Sequence, residues 1–92
     1  MSRFRNRDTE RLFNGELSQR LPPDIQKRAR IKVQRVAAVR SLVSLANPRS
    51  NRLEALQGNR RGQYSIRIID QWRVYFRWTQ SGATEIEVTD YH

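Results

Sequence analysis

The sequence predicts an α+β domain in which two N-terminal helices pack on a small, mainly antiparallel twisted sheet. Three observations lead there. Apolar positions in the first half recur in steps of three and four, from Ile25 through Ala29, Val33, Val36 and Ala37 to Val43. After residue 51 the period drops to two, most clearly where Trp72, Val74, Phe76 and Trp78 alternate with Arg73, Tyr75 and Arg77. The strands of that second half are joined by short turns, which favours sequential antiparallel pairing.

Taken in order, Phe4 between arginines predicts a short opening strand. Asp8 is placed as the N-cap of a first helix carrying Leu12 and Phe13, with Gly15 ending it. Ser18 to Leu21 connects. Pro22-Pro23-Asp24 opens the longer helix, since proline is tolerated in the first turn and an acid there suits the helix dipole. Leu42 and Leu45 widen its apolar stripe, and Asn47-Pro48 stops it. Arg52 to Leu56 reads as a short strand and Gly58 to Gly62 as a basic turn. Tyr64, Ile66 and Ile68 alternate with Ser65, Arg67 and Ile69. Asp70-Gln71 turns into the Trp72 strand, and Ser81-Gly82 leads to a last strand carrying Ile86 and Val88.

At 92 residues the chain is expected to form one domain, 1–92, near the small end of what buries its own core. With no cysteine and one histidine, neither a disulfide nor a metal centre is expected, and no cofactor is implied. The apolar runs are too short to span a bilayer and no signal-like segment opens the chain, so a cytoplasmic protein without a membrane role is expected. The formal net charge is +9, almost all from arginine, with Lys27 and Lys32 the only lysines. A planar guanidinium suits bidentate phosphate contact and stacking on bases, so a polyanion, nucleic acid first, is the expected partner. A merely solvated basic surface is the bland alternative.

Alternation sorts the strands into two faces. Trp72, Val74, Phe76, Trp78, Ile86 and Val88 should face the helices. Arg73, Tyr75, Arg77 and Tyr91 should face away, on the concave side of the sheet. Arginines interleaved with tyrosines fit single-stranded RNA. Cross-strand pairing with Glu85 and Glu87 is the structural alternative for those arginines. The ending Asp90-Tyr91-His92 places a carboxylate, a phenol and the chain's one imidazole side by side, groups suited to proton transfer.

Asn51-Arg52-Leu53-Glu54-Ala55-Leu56, Gly62-Gln63-Tyr64-Ser65-Ile66-Arg67-Ile68, Asp70-Gln71-Trp72-Arg73-Val74 and the closing Asp90-Tyr91-His92 together resemble the HigB toxins of the RelE/ParE superfamily, also called plasmid maintenance system killer proteins. The likeness extends to Leu21-Pro22-Pro23-Asp24-Ile25-Gln26-Lys27-Arg28 and so covers nearly the whole chain. It implies a RelE-like fold and an mRNA interferase acting in the A site of the 70S ribosome, by metal-independent attack of a 2′-hydroxyl on the adjacent phosphate. It also implies a HigA-type helix-turn-helix antitoxin, with operator DNA reached only through the antitoxin complex.

By matching position, the resemblance makes Asp90, Tyr91 and His92 the closing catalytic residues and Arg73 the phosphate-side arginine. Arg52, Arg60, Arg61, Arg67, Tyr75 and Arg77 complete the expected RNA-binding set. Some members with this ending carry histidine where this chain has Glu54. The expectation is that Glu54 serves as general base and His92 as general acid, with Asp90 orienting it and Tyr91 stacking or sharing in proton transfer. An ion pair of Glu54 with Arg52 or Arg73 is the alternative. The rival functions are a ParE-like gyrase-inhibiting toxin and a non-catalytic RNA-binding module.

Overall fold

The computed structural model describes residues 3–69 and 71–90. Two α-helices come first, α1 (Arg7–Phe13) and α2 (Gln26–Ala38). Four strands follow: β1 (Glu54–Ala55), β2 (Gln63–Ile69), β3 (Trp72–Thr79) and β4 (Gly82–Asp90). They form one sheet in the order β1-β2-β3-β4 with every neighbouring pair antiparallel, an α+β domain.

The core lies between the helices and one face of this sheet. Leu12 from α1, Ala29, Val33 and Val36 from α2, and Ile66, Val74, Phe76 and Ile86 from the strands are all fully buried. Burying each large apolar side chain contributes about 1.5–3 kcal/mol. Trp72 and Trp78 pack against this cluster while half-buried, so they belong to the core as the alternation predicts.

Phe4 forms a single parallel bridge rather than a strand. Ile86 donates its N–H to the Arg3 carbonyl at 3.0 Å, and Arg5 donates to the Ile86 carbonyl at 2.9 Å. The segment covers the outer edge of β4, which would otherwise present unpaired backbone groups. Opposite it the β3–β4 register shifts between Tyr75 and Arg77, and Glu85 takes a left-handed conformation at φ 51.

Two of the local expectations are corrected here. The cap of α1 is Asn6, whose side chain accepts the Thr9 N–H at 2.8 Å. Asp8 instead accepts from Ser18 Oγ at 2.5 Å and from the Gln19 N–H at 3.2 Å, fastening the connector to the helix. The strand expected over Arg52 to Leu56 is only Glu54–Ala55, because Arg52 sits in the left-handed region at φ 46, ψ 57. The expected turn at Asp70-Gln71 falls partly outside the described residues.

The longest difference is at the end of α2, which stops at Ala38 where Val39 becomes extended. The chain then makes a 3-10 turn over Leu42–Ala46. Helical geometry gives the reason. Leu45 is nine residues beyond Val36, about two and a half turns, so a continued helix would point it away from the core and point Val43 inward. The reversed chain does the opposite: Leu45 is fully buried and Val43 is 73 % exposed. Asn51, also fully buried, pins the returning segment by donating to the carbonyls of Leu45 at 3.1 Å and Asn47 at 3.4 Å. Its Oδ1 accepts from Lys32 Nζ on α2.

Candidate functional site

The sheet face turned away from the helices carries three cross-strand rows, because antiparallel partners point to the same side. One row runs Glu54, Ser65, Tyr75, Glu87. A second runs Arg67, Arg73, Thr89, and a third Gln63, Arg77, Thr84. The period-two reading therefore puts Arg73, Tyr75 and Arg77 on the correct face.

Depth is where reading and structure part. Arg73, expected as an open-face cation, is only 7 % exposed. Its Nε donates to Ser65 Oγ at 2.9 Å and its Nη2 to the Arg52 carbonyl at 2.7 Å. The left-handed turn at Arg52 is what presents that carbonyl, a conformation costing on the order of 1 kcal/mol. The same Nη2 lies 3.8 Å from Glu54 Oε2, the ion pair considered as the alternative for that carboxylate. A buried, hydrogen-bonded guanidinium thus stands behind an exposed carboxylate at the sheet edge.

Tyr75 is 5 % exposed, with the Arg60 guanidinium 4.8 Å above its ring. For this ring to stack on a base, Arg60 must first swing off it. Arg60 also lies 3.5 Å from Glu87 Oε1 and donates to Gln63 Oε1 at 3.4 Å. Arg77 donates its Nε to Glu85 Oε2 at 2.9 Å, the cross-strand pairing considered as the alternative for it. Arg5 reaches both Glu85 and Glu87, at 3.4 and 3.7 Å. This end of the open face is therefore a web of ion pairs.

Of the remaining candidates, Arg52 and Arg61 are exposed and Arg67 is half-exposed; among the described residues none of the three is paired with a carboxylate. Asp90 pairs across the sheet with Trp72, one step beyond the Arg73–Thr89 pair, so its side chain points to the Trp72 side of the sheet. Tyr91 and His92 lie outside the described residues. Among the described residues no cluster of His, Asp and Glu is arranged to hold a metal ion, and no helix is long and apolar enough to cross a membrane.

Two basic residues escaped the reading of the strands. Arg28 and Lys32 of α2 line a cleft of about 330 Å³ with Ser50, Arg67, Ile68 and Ile69. Their i, i+4 spacing was visible in the sequence, but which strand that face of the helix would meet was not. Burial, and then the like charges of Arg28 and Arg35, hold the Lys32 ammonium below the usual lysine value.

The chain matches, over residues 2–92, the family model of HigB-like toxins, described as the RelE-like toxin of the type II toxin-antitoxin system HigB. A relative, Toxin HigB-1 of Vibrio cholerae serotype O1, is 31 % identical over 81 residues, an alignment covering 87 % of this chain and 85 % of the relative. A toxin of type II has an antitoxin as its partner. A match spanning nearly the whole domain, together with the α+β architecture just described, places this chain among the HigB-like toxins of type II toxin–antitoxin systems.

Proposed function

We propose that this toxin is a metal-independent endoribonuclease that cleaves mRNA in the ribosomal A site, arresting translation and growth, and that a HigA-type helix-turn-helix antitoxin neutralises it in the cytoplasm. The observation that carries the reading is the Glu54–Arg73 pair: an exposed carboxylate 3.8 Å from a buried guanidinium, on the open face of the sheet.

In-line attack by a 2′-hydroxyl needs a base on the nucleophile, positive charge beside the phosphorane and an acid on the 5′-oxygen. Glu54 is the exposed carboxylate of the pair, with its side chain 55 % accessible, and takes the 2′-proton. Arg73 has its Nε and one Nη2 proton committed to Ser65 and the Arg52 carbonyl, which fixes the orientation of the guanidinium before substrate arrives. A preorganised cation of this kind needs no rearrangement when negative charge develops on the phosphate. His92 is the proposed acid for the leaving oxygen, Tyr91 a stacking or proton-sharing group, and Asp90 the carboxylate that orients or balances them. Well-placed acid–base groups contribute about 10²–10⁴-fold each.

Purified ribosomes programmed with a defined message test the proposal directly. Wild-type protein should cut within the A-site codon, and Glu54→Gln should lose at least about 10²-fold in rate. Unchanged cleavage by the Gln variant removes Glu54 from the base role. Inhibition of DNA supercoiling with intact message would instead favour the gyrase-inhibiting alternative.

A further inference from the structure

The cleft between α2 and the outer edge of β2 lies outside the Glu54–Arg73 site. β1 pairs only with Ser65 and Tyr64, so from Ile66 to Ile69 that edge of β2 carries no neighbouring strand. The cleft of about 330 Å³ opens there, with Arg28 and Lys32 on one wall and Ser50, Arg67, Ile68 and Ile69 around the rest. Four of these six residues bear side-chain hydrogen-bond donors, and three of them are cations from two different elements.

Among the described residues no carboxylate lines the cleft, and Arg28, Lys32 and Arg67 form no ion pair. Lys32 is bonded to the neutral Asn51 side chain. Asp24, one helical turn before Arg28, shares a neighbouring cleft with Arg28 and Lys32 and offsets part of this charge, while Arg28 repels the Lys32 ammonium. An anion entering the cleft removes that repulsion. Its position also matters: Arg67 is the direct cross-strand partner of Arg73, so the cleft is one strand outboard of the proposed reaction centre.

We propose that Arg28, Lys32 and Arg67 form a phosphodiester-binding site that holds an RNA backbone phosphate beside the one positioned at Arg73. Ser50 Oγ supplies a neutral donor to the same oxygens. A guanidinium on each side offers forked N–H pairs, and the ammonium adds a point charge. The identity of the anion as RNA rests on the function proposed above; the existence of the anion site rests on the cleft alone. The phosphate comes either from the message or from ribosomal RNA, and a protein carboxylate is the competing occupant.

The test is binding of a short single-stranded RNA to the full-length protein by fluorescence anisotropy over a salt series, with binding to vacant ribosomes and to the antitoxin measured in parallel. R28Q/R67Q keeps the Lys32–Asn51 bond and should flatten the slope of log affinity against log salt by up to about 0.7, the contribution of one phosphate contact on a single strand. Adding K32Q should weaken binding further while keeping the total change of slope within that one contact of about 0.7. A flattened slope with the oligonucleotide assigns the message, and weakened binding to vacant ribosomes alone assigns ribosomal RNA; either result supports the site. Unchanged slopes with both, in variants whose melting matches wild type, overturn it. Loss of antitoxin affinity with RNA and ribosome binding intact overturns it too, in favour of a protein carboxylate. Because the readout is binding rather than cleavage, failure of the Glu54 base assignment leaves this result interpretable on its own.

Discussion

Arg73 and Glu54 meet from opposite sides of β2, Nη2 to Oε2 at 3.8 Å, with 9 % of one side chain exposed and 55 % of the other. The inequality decides what each can do. The buried guanidinium is held by Ser65 and by the Arg52 carbonyl and cannot travel to a ligand. The carboxylate is the mobile, solvent-facing member, and a pair this exposed on one side adds little stability by itself, about 0–1 kcal/mol.

Replacing Glu54 should therefore affect chemistry far more than folding. Glu54→Gln should shift the unfolding free energy by less than about 1 kcal/mol while reducing message cleavage by at least about 10²-fold. Glu54→His, which restores a proton acceptor, should recover part of that activity. Denaturant melts and ribosome-programmed cleavage on the same preparations give both quantities.

Arg73→Ala should cost both. It leaves Ser65 Oγ and the Arg52 carbonyl without their partner in a buried setting, at about 1–3 kcal/mol. Arg73→Lys cannot span both acceptors with a fixed fork, so it should retain charge but not full stability. A chemical denaturation series checks the order wild type, Lys, Ala.

Gly62→Ala should destabilise by about 1 kcal/mol or more, since an L residue is strained at φ +91 and the added Cβ would stand 2.8 Å from an Arg77 side-chain nitrogen. Arg77→Ala in the same background should recover the steric part and leave the backbone part. Thermal melts of the two single variants and the double variant separate the contributions.

Arg60→Gln should take the guanidinium off the Tyr75 ring, losing about 0.5–2 kcal/mol of cation–π attraction and the contact with Glu87. If the ring is a base platform, the same variant should quench Tyr75 fluorescence more strongly on RNA addition than wild type does. Equal quenching would leave Tyr75 as a purely structural residue.

Lys32 gives a pH signature. Its value is lowered in the fold by burial first and by Arg28 and Arg35 second, so the unfolded chain binds more protons over the window below 10.5. Stability contributed through this group accordingly rises with pH across that window, and the charged form is the penalised one below it. Arg28→Gln should raise the Lys32 value part of the way back, because desolvation remains. Inorganic phosphate bound in the cleft should raise it as well, and side-chain NMR of the lysine reads both.

The alternation around Trp72 and the strand at Ile86 and Val88 let the antiparallel sheet and the membership of its two faces be read directly, because side-chain direction in a strand follows sequence parity. The helical stripe from Ile25 to Val36 was equally legible. The end of α2 was not, since the competition between burying Val43 and burying Leu45 depends on a loop that doubles back and is locked by Asn51. Nor was the α1 cap, where Asn6 and Asp8 are both competent and only the position of Ser18 assigns Asp8 elsewhere.

For the site, the sequence by itself determined which residue types stand on the open face and, through likeness to a toxin family, which of them to watch. Only the tertiary structure decided that Arg73 is an internal post rather than a surface cation, that Arg60 covers Tyr75, and that Arg28 and Lys32 share a cleft with Arg67. The physical reason is that parity along a strand specifies a side but not a depth. Depth is set by groups far away in the chain, here a carbonyl twenty-one residues before Arg73 and a guanidinium fifteen before Tyr75, whose arrival no local pattern encodes.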